Sequence, residues 1–115
     1  MGILDLFRSK RTTDRDQLVL VQLRKSGSNL SKPHKIEFFL YFPTQSIAER
    51  AGLNIRDAGF EVEVKKAAQG ESWLCFASKT MIPALLDLQR IRQNFMSLAG
   101  SMNGEYDGWG TEVVK

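Results

Sequence analysis

The residues that could support catalysis are few and lie far apart in the sequence. His34 is the only histidine and Cys75 the only cysteine of the 115-residue chain. Nucleophilic catalysis needs a histidine within hydrogen-bond reach of a nucleophile and of an orienting acid. His34 follows Pro33 in a predicted connector, where we expect a solvated ring. Cys75 lies between Leu74 and Phe76 in a predicted strand, where we expect a buried and unreactive thiol.

Two carboxylates, Glu61 and Glu63, are predicted on the same face of a strand, about 7 Å apart. Paired carboxylates can hydrolyse glycosides, but on the wet face of a strand we expect them to serve solubility. The glycines Gly104, Gly108 and Gly110 follow a predicted helix and do not precede one, so they form no phosphate-binding loop. One cysteine excludes a cysteine-based zinc site. We therefore expect no catalytic residue, no metal site, no cofactor and no small-molecule substrate.

Six aromatic residues could stack on nucleic-acid bases if they lay on an open sheet face: Phe38, Phe39, Tyr41, Phe42, Trp73 and Phe76. However, Glu61 and Glu63 are predicted on the polar face of a neighbouring strand, where carboxylates repel phosphates. The chain also lacks the glycine and aromatic signature, flanked by basic residues, of the common RNA-binding sandwich. We therefore do not expect sequence-specific nucleic-acid binding.

Positive charge is concentrated near the start of the chain. The net charge is +3, made up of +5 over residues 1–36 and −2 over the remainder. A basic arm of Arg8, Lys10, Arg11 and Arg15 could contact RNA or an acidic surface, and a solvated terminus is the alternative. The start of the chain lacks a signal peptide, and no apolar run approaches the roughly 18 residues of a transmembrane helix. These features predict a cytoplasmic protein.

The elements that position these residues follow from periodicity. Residues 14–26 are ambiguous: their β-branched and apolar run favours a strand, whereas Asp14 or Asp16 as a cap and Gly27 as a stop favour a helix. Residues 27–33 are a predicted connector. The apolar run from Lys35 to Phe42 predicts an inner strand. The segments FEVEVK and SWLCFASK then predict a hairpin.

Two helices are predicted in the remaining segments. The first has Ser46 and Glu49 as a capping box, ends at Gly59, and presents one apolar face: Ile47, Ala51, Ile55 and Ala58. The second begins at Pro83, ends at Asn103-Gly104 and carries a long apolar stripe: Leu85, Leu88, Ile91, Phe95, Leu98 and Met102. The segment EYDGWGTEVV then predicts a short strand, bulged at Gly108 or Gly110.

This element order predicts an α+β fold, the ferredoxin-like βαββαβ sandwich. A four-stranded antiparallel sheet carries two helices on one face, and a helical N-terminal extension precedes it. The expected division is a basic extension and connector over residues 1–33 and the sandwich domain over residues 34–115. Trp109, between two glycines, is predicted either to fill the core at the bulge or to be an exposed anchor for a partner, and we favour the core.

Several segments resemble the ribonuclease E inhibitor family, also called regulator of ribonuclease activity B. They are FFLYFP, AGF before EVEV, the hairpin strand SWLCFASK and, most specifically, GEYDGWGTEV, and together they span His34 to Val114. The resemblance implies a ferredoxin-like fold and a bacterial cytoplasmic protein that is not an enzyme. It also implies a protein partner, the ribonuclease E of the RNA degradosome, bound so that RNA decay is modulated.

In that resemblance the family signature is carried by six consecutive residues, which we expect to bind the partner: Glu105, Tyr106, Asp107, Gly108, Trp109 and Gly110. The better-known inhibitors are strongly acidic, whereas this chain carries a net charge of +3. A second function therefore stays open. The chain could be an interaction module of the same fold that binds an acidic protein, RNA or a second copy of itself as a homodimer, without inhibiting a ribonuclease.

Overall fold

The computed structural model describes residues 15–115, so the predicted basic residues Arg8, Lys10 and Arg11 lie outside the described range. Residues 15–25 form helix α1, which confirms the helical alternative for this segment. The elements that follow are β1 (His34–Phe42), α2 (Gln45–Asp57), β2 (Glu61–Lys66), β3 (Trp73–Met81), α3 (Leu85–Ser101) and β4 (Glu105–Gly110). Between residues 15 and 115, no helix is both long enough and apolar enough to cross a membrane.

The four strands form one sheet in the order β2-β3-β1-β4, and every neighbouring pair is antiparallel. This order confirms the predicted α+β, ferredoxin-like sandwich. β1 lies at the centre because its inward side chains are almost all apolar: Ile36, Phe38, Leu40 and Phe42 are at most 1% exposed. β2 and β3 form the predicted hairpin.

The core lies between the sheet and the helices. Phe38 of β1 contacts Phe95 of α3 and Phe60 before β2, with ring centroids 5.4 and 5.6 Å apart. Helix α2 packs closely on the hairpin because Gly52 has no side chain: a Cβ there would lie 3.2 Å from Val62 Cγ1. Burying a large apolar side chain such as that of Phe38 stabilises the fold by about 1.5–3 kcal/mol.

Helix α1 belongs to the same core. Leu20 and Leu23 are 9% and 7% exposed and lie in one cluster with the buried residues of the sheet and of α3. The predicted division after residue 33 stays a prediction, although the described part of the extension contributes buried side chains to the predicted sandwich domain.

The start of α2 differs from the prediction. The N-cap is Thr44, whose extended backbone lets its Oγ1 accept the Ile47 N–H at 3.2 Å. The capping box predicted from Ser46 is wrong, because Ser46 is already inside the helix and cannot take a cap's extended conformation. The predicted end at Gly59 is confirmed, and its φ of 99° is an angle that glycine adopts without strain.

Candidate partner-binding site

Strand β4 is irregular at its centre. Gly108 lies opposite Phe39 of β1, and Tyr106 lies opposite the next residue, Leu40, so Asp107 has no partner in the ladder. Gly108 has a φ of 107°, the left-handed conformation that a glycine in such a bulge provides. The bulge predicted at Gly108 is therefore confirmed.

The bulge turns both aromatic residues of EYDGWG towards the helices. In a regular strand, side chains three residues apart point to opposite faces. Here the extra residue restores the phase, so that Tyr106 meets the Phe95 ring at 5.8 Å and Trp109 packs against the core. The prediction that Trp109 fills the core at a bulge is confirmed. The opposite face of β4 carries Glu105, which pairs with Tyr41, Gly108, which pairs with Phe39, and Gly110, which pairs with Glu37.

Trp109 also completes a buried polar group, the Asp16 cluster, formed by Asp16 of α1, Arg92 of α3 and Trp109 of β4. The indole Nε1–H donates to Asp16 Oδ1 at 3.0 Å, and Arg92 Nε donates to Asp16 Oδ2 at 2.8 Å. Asp16 and Arg92 are 3% and 9% exposed. A buried ion pair is costly to break, because removing one partner leaves an uncompensated charge in the interior.

Sequence reasoning missed the Asp16 cluster. The sequence suggests Asp16 as a helix cap, whereas it lies within α1, and the predicted apolar stripe of α3 does not include Arg92. A signal was present: Arg92 lies four residues after Leu88 and three before Phe95, at the spacing of the buried face. A charged residue at a core position of a helix indicates that another element supplies a buried partner.

Tyr106 lies next to this cluster without joining it. Its hydroxyl is buried and has no hydrogen-bond partner. Burial raises the pKa of the Tyr106 hydroxyl well above its ordinary value of 10.0, and the nearby Asp16 carboxylate raises that pKa further, while Arg92 partly offsets the shift. Tyr106 therefore stays neutral over the whole physiological range of pH.

His34 corrects the prediction of a solvated ring, since it is the first residue of β1 and is fully buried. Its Nδ1–H donates to the Lys32 carbonyl at 2.8 Å, and its Nε2 is 2.6 Å from Ser28 Oγ. Ser28 Oγ in turn accepts the Val114 N–H at 3.0 Å. Both ring nitrogens are thus used to hold the connector and the segment after β4 against the sheet.

The Cys75 thiol is fully buried, which confirms the prediction. Burial raises the pKa of this thiol to about 11, and the positive charge of Arg56 opposes the shift only in part. A thiol with so high a pKa carries almost no thiolate at neutral pH, and the thiolate is the nucleophilic form. In the range 15–115, no three His, Cys, Asp or Glu side chains lie together as a metal site.

The sheet surface opposite the helices has a different character, and we call it the open sheet face. Its aromatic centre is Phe39 of β1 beside Phe76 of β3, with ring centroids 5.4 Å apart. The strand pairings place four rows of residues across it: Thr80 and Lys35; then Glu61, Ser78, Glu37 and Gly110; then Glu63, Phe76, Phe39 and Gly108; then Lys65, Leu74, Tyr41 and Glu105.

The predicted site residues are divided between these two sides. Glu105 and Asp107 are exposed, and Gly108 and Gly110 border the open sheet face. Tyr106 and Trp109 point towards the helices, so their side chains pack against the core and do not lie on the open sheet face. Arg15 is exposed at the start of the described range, away from the EYDGWG segment in sequence. A partner-binding role for all of these residues stays a prediction.

Known proteins resemble this chain over most of its length. Residues 13–111 match the family model described as Regulator of ribonuclease activity B. A protein of Pseudoalteromonas atlantica with the same description is 27% identical over 104 residues, which cover 87% of this chain and 89% of the relative. The matched range includes α1, the whole sheet and the EYDGWG segment.

Proposed function

Because the chain belongs to the regulator of ribonuclease activity B family, we propose that it regulates RNA decay by binding an endoribonuclease of the ribonuclease E type. In this proposal the chain acts in the bacterial cytoplasm and takes no part in the cleavage chemistry. The observation that carries it is the family match over residues 13–111, which spans every strand of the sheet.

The use of the polar groups supports binding over catalysis. Both ring nitrogens of His34 form internal hydrogen bonds, and both carboxylate oxygens of Asp16 accept hydrogen bonds, from Arg92 and Trp109. The Cys75 thiol is buried and protonated. A general base or nucleophile must reach the substrate. His34 and Asp16 instead connect structural elements, and the Cys75 thiol is not accessible to a substrate.

The partner-binding residues that we propose are those of the signature segment. Glu105 and Asp107 offer exposed carboxylates, and Gly108 and Gly110 offer backbone without side chains. Tyr106 and Trp109 act through β4, because their contacts with Phe95 and Asp16 fix the shape of the bulge. The exposed residues are therefore the ones whose replacement tests binding without disturbing the core.

The decisive experiment mixes the purified chain with full-length ribonuclease E from the same host. Binding is measured by surface plasmon resonance at low salt, and cleavage is followed on a fluorescent RNA. We expect saturable binding and a changed cleavage rate, both weakened by Asp107→Ala. Glu49→Gln on the exposed surface of α2 is a matched control that should change neither. Lack of binding and an unchanged cleavage rate would refute the proposal.

A second candidate is an interaction module for another partner, favoured by the charge of +5 over residues 1–36. Replacing Arg8, Lys10 and Arg11 by Gln should then weaken capture of an acidic partner or RNA and leave ribonuclease binding unchanged. Light scattering on the purified chain measures self-association in the same samples. If the triple variant binds ribonuclease E less well and nothing else, the basic arm serves the first function.

A further inference from the structure

The open sheet face is bordered by backbone that carries no side chains. Gly108 lies opposite Phe39 and Gly110 opposite Glu37, and a Cβ added at either glycine would meet nothing within 4 Å. Phe39, Tyr41 and Phe76 remain partly exposed. The two glycines therefore leave open space beside the aromatic centre, with the β4 backbone at its edge.

The charge of this face is opposite to that of the whole chain. Its four rows contain four carboxylates and two ammonium groups: Glu37, Glu61, Glu63 and Glu105 against Lys35 and Lys65. The only close pair among them is Lys65 with Glu63, at 3.9 Å, and both side chains are more than half exposed. An ion pair this exposed contributes little to stability. A chain with a net charge of +3 thus presents an acidic, aromatic surface.

One aromatic ring of this face is already in contact with a cation of the same chain. Lys65 Nζ lies 5.2 Å from the centroid of the Phe76 ring, within the range of a cation–π interaction. Phe39 offers a second ring next to it, flanked by the open space at Gly108. A guanidinium group suits this position better than an ammonium group, because it is planar, stacks on aromatic rings and pairs with carboxylates through two hydrogen bonds.

We propose that the open sheet face binds an extended segment of a protein partner that carries arginine side chains. The arginines stack on Phe39 and Tyr41 and pair with the surrounding glutamates. Alternate residues of an extended chain are about 7 Å apart, which is also the separation of alternate residues along β1. A nucleic acid is disfavoured because its phosphates would meet the same carboxylates. This inference rests on the proposed function, since it specifies the surface and chemistry by which the regulator binds its target.

The first test uses fluorescence anisotropy with labelled peptides of alternating arginine and glycine, or of alternating lysine and glycine. The arginine peptide should bind at least about threefold more tightly than the lysine peptide, and both should weaken as salt is raised. Equal affinity for the two peptides would overturn the role of the aromatic rings. Tighter binding of an oligouridine than of either peptide would overturn the choice of a protein partner.

Variants locate the surface. Phe39→Ala should weaken binding of the arginine peptide by about threefold to fivefold. The triple variant Glu37→Gln, Glu61→Gln, Glu63→Gln should weaken it by about tenfold and reduce its salt dependence. Matched controls lie on α2, where Leu53→Ala removes an apolar side chain that is 59% exposed and Glu49→Gln removes a carboxylate. If the controls weaken binding as much as the face variants, the peptide binds elsewhere.

The same variants separate this inference from the proposed function when they are tested against ribonuclease E. If the unaltered chain binds ribonuclease E and Phe39→Ala and the glutamate variant bind it equally well, the surface is wrong and the function stands. If the chain binds the arginine peptide through this face but not ribonuclease E, the function is wrong and the surface stands. Circular dichroism and urea unfolding of each variant show that the fold is retained.

Discussion

At the scale of single residues, the Asp16 carboxylate has the largest expected effect on stability. Asp16→Ala should lower the free energy of unfolding by about 3–5 kcal/mol, because the buried Arg92 guanidinium loses its counter-charge. Asp16→Asn keeps an oxygen to accept the Trp109 N–H but not the charge, and should lie between Ala and the unaltered chain. Urea unfolding measures all three. Equal stability of Asp16→Ala and the unaltered chain would contradict the buried ion pair.

The Tyr106 hydroxyl should have the opposite effect. It is buried without a partner, so Tyr106→Phe removes an unsatisfied polar group while keeping the ring contact with Phe95. We expect the free energy of unfolding to rise by about 1 kcal/mol. Tyr41→Phe, on the partly exposed face of β1, is the control and should change it little. A loss of stability in Tyr106→Phe would show that the hydroxyl has a partner in solution.

The buried thiol and phenol also predict how stability depends on pH. Each group is neutral when protonated, and burial raises the pKa of each in the folded chain, for Cys75 from 9.0 to about 11. Above pH 9 the unfolded chain therefore loses protons that the folded chain keeps, and stability falls as pH rises. Urea midpoints between pH 8 and about 11 measure this decline. Cys75→Ala should reduce its slope, and an unchanged slope would contradict the assignment.

At the scale of elements, the bulge in β4 depends on the conformation of one glycine. Gly108→Ala should destabilise the fold by about 1–2 kcal/mol because of its φ of 107°. It should also move Trp109 towards water, which shifts its fluorescence to longer wavelength. Gly110→Ala is a matched control two residues away, without a positive φ and without a neighbour for its Cβ. If both variants behave alike, the bulge does not set the direction of Trp109.

The contact between the connector and the segment after β4 can be tested at Ser28. Ser28→Ala removes the hydroxyl that lies against His34 and accepts the Val114 N–H. We expect a loss of about 1–2 kcal/mol, since a buried ring nitrogen is left without a partner. Amide hydrogen exchange at Val114 should become faster. Ser31→Ala, at an exposed position of the same connector, should leave that exchange rate unchanged.

At the scale of the whole molecule, the fold was predictable because period and turn chemistry agree along most of the chain. The alternation of FEVEVK, the stripe of α3 and the glycine at residue 59 each predict one outcome, and the structure has it. Polar contacts between distant residues were not predictable. Arg92 escapes the sequence analysis because its partner lies on another element, 76 residues away. The partners of His34 are close in sequence, but its burial depends on the contact of the connector with the segment after β4.

The candidate site was predictable only as a segment. The EYDGWG letters mark where β4 lies, but the division into inward aromatics and outward glycines comes from the bulge, whose register is set by pairing with β1. The open sheet face combines residues from all four strands. The sequence predicts Glu61 and Glu63 on a solvent-exposed strand face. Their position beside Phe39 and Phe76 depends on the strand order and not on local sequence.

The boundary predicted after residue 33 gives a test at this scale. A fragment of residues 34–115 loses Leu20, Leu23 and Asp16, and Arg92 loses its counter-charge. The expected loss is about 5 kcal/mol or more, which is comparable with the whole stability of a small domain. The fragment should show little cooperative thermal unfolding by circular dichroism. A cooperative transition like that of the full chain would establish residues 34–115 as an independent domain.

The Asp16 cluster also constrains how the protein folds while it is being made. Asp16 waits for partners at positions 92 and 109, which leave the ribosome much later than α1 does. Until these partners emerge, burial of the Asp16 carboxylate is uncompensated, and the core that buries Leu20 and Leu23 is incomplete. We therefore expect the nascent chain to remain without its final packing until nearly all of the described residues have emerged, and to fold in a single late step.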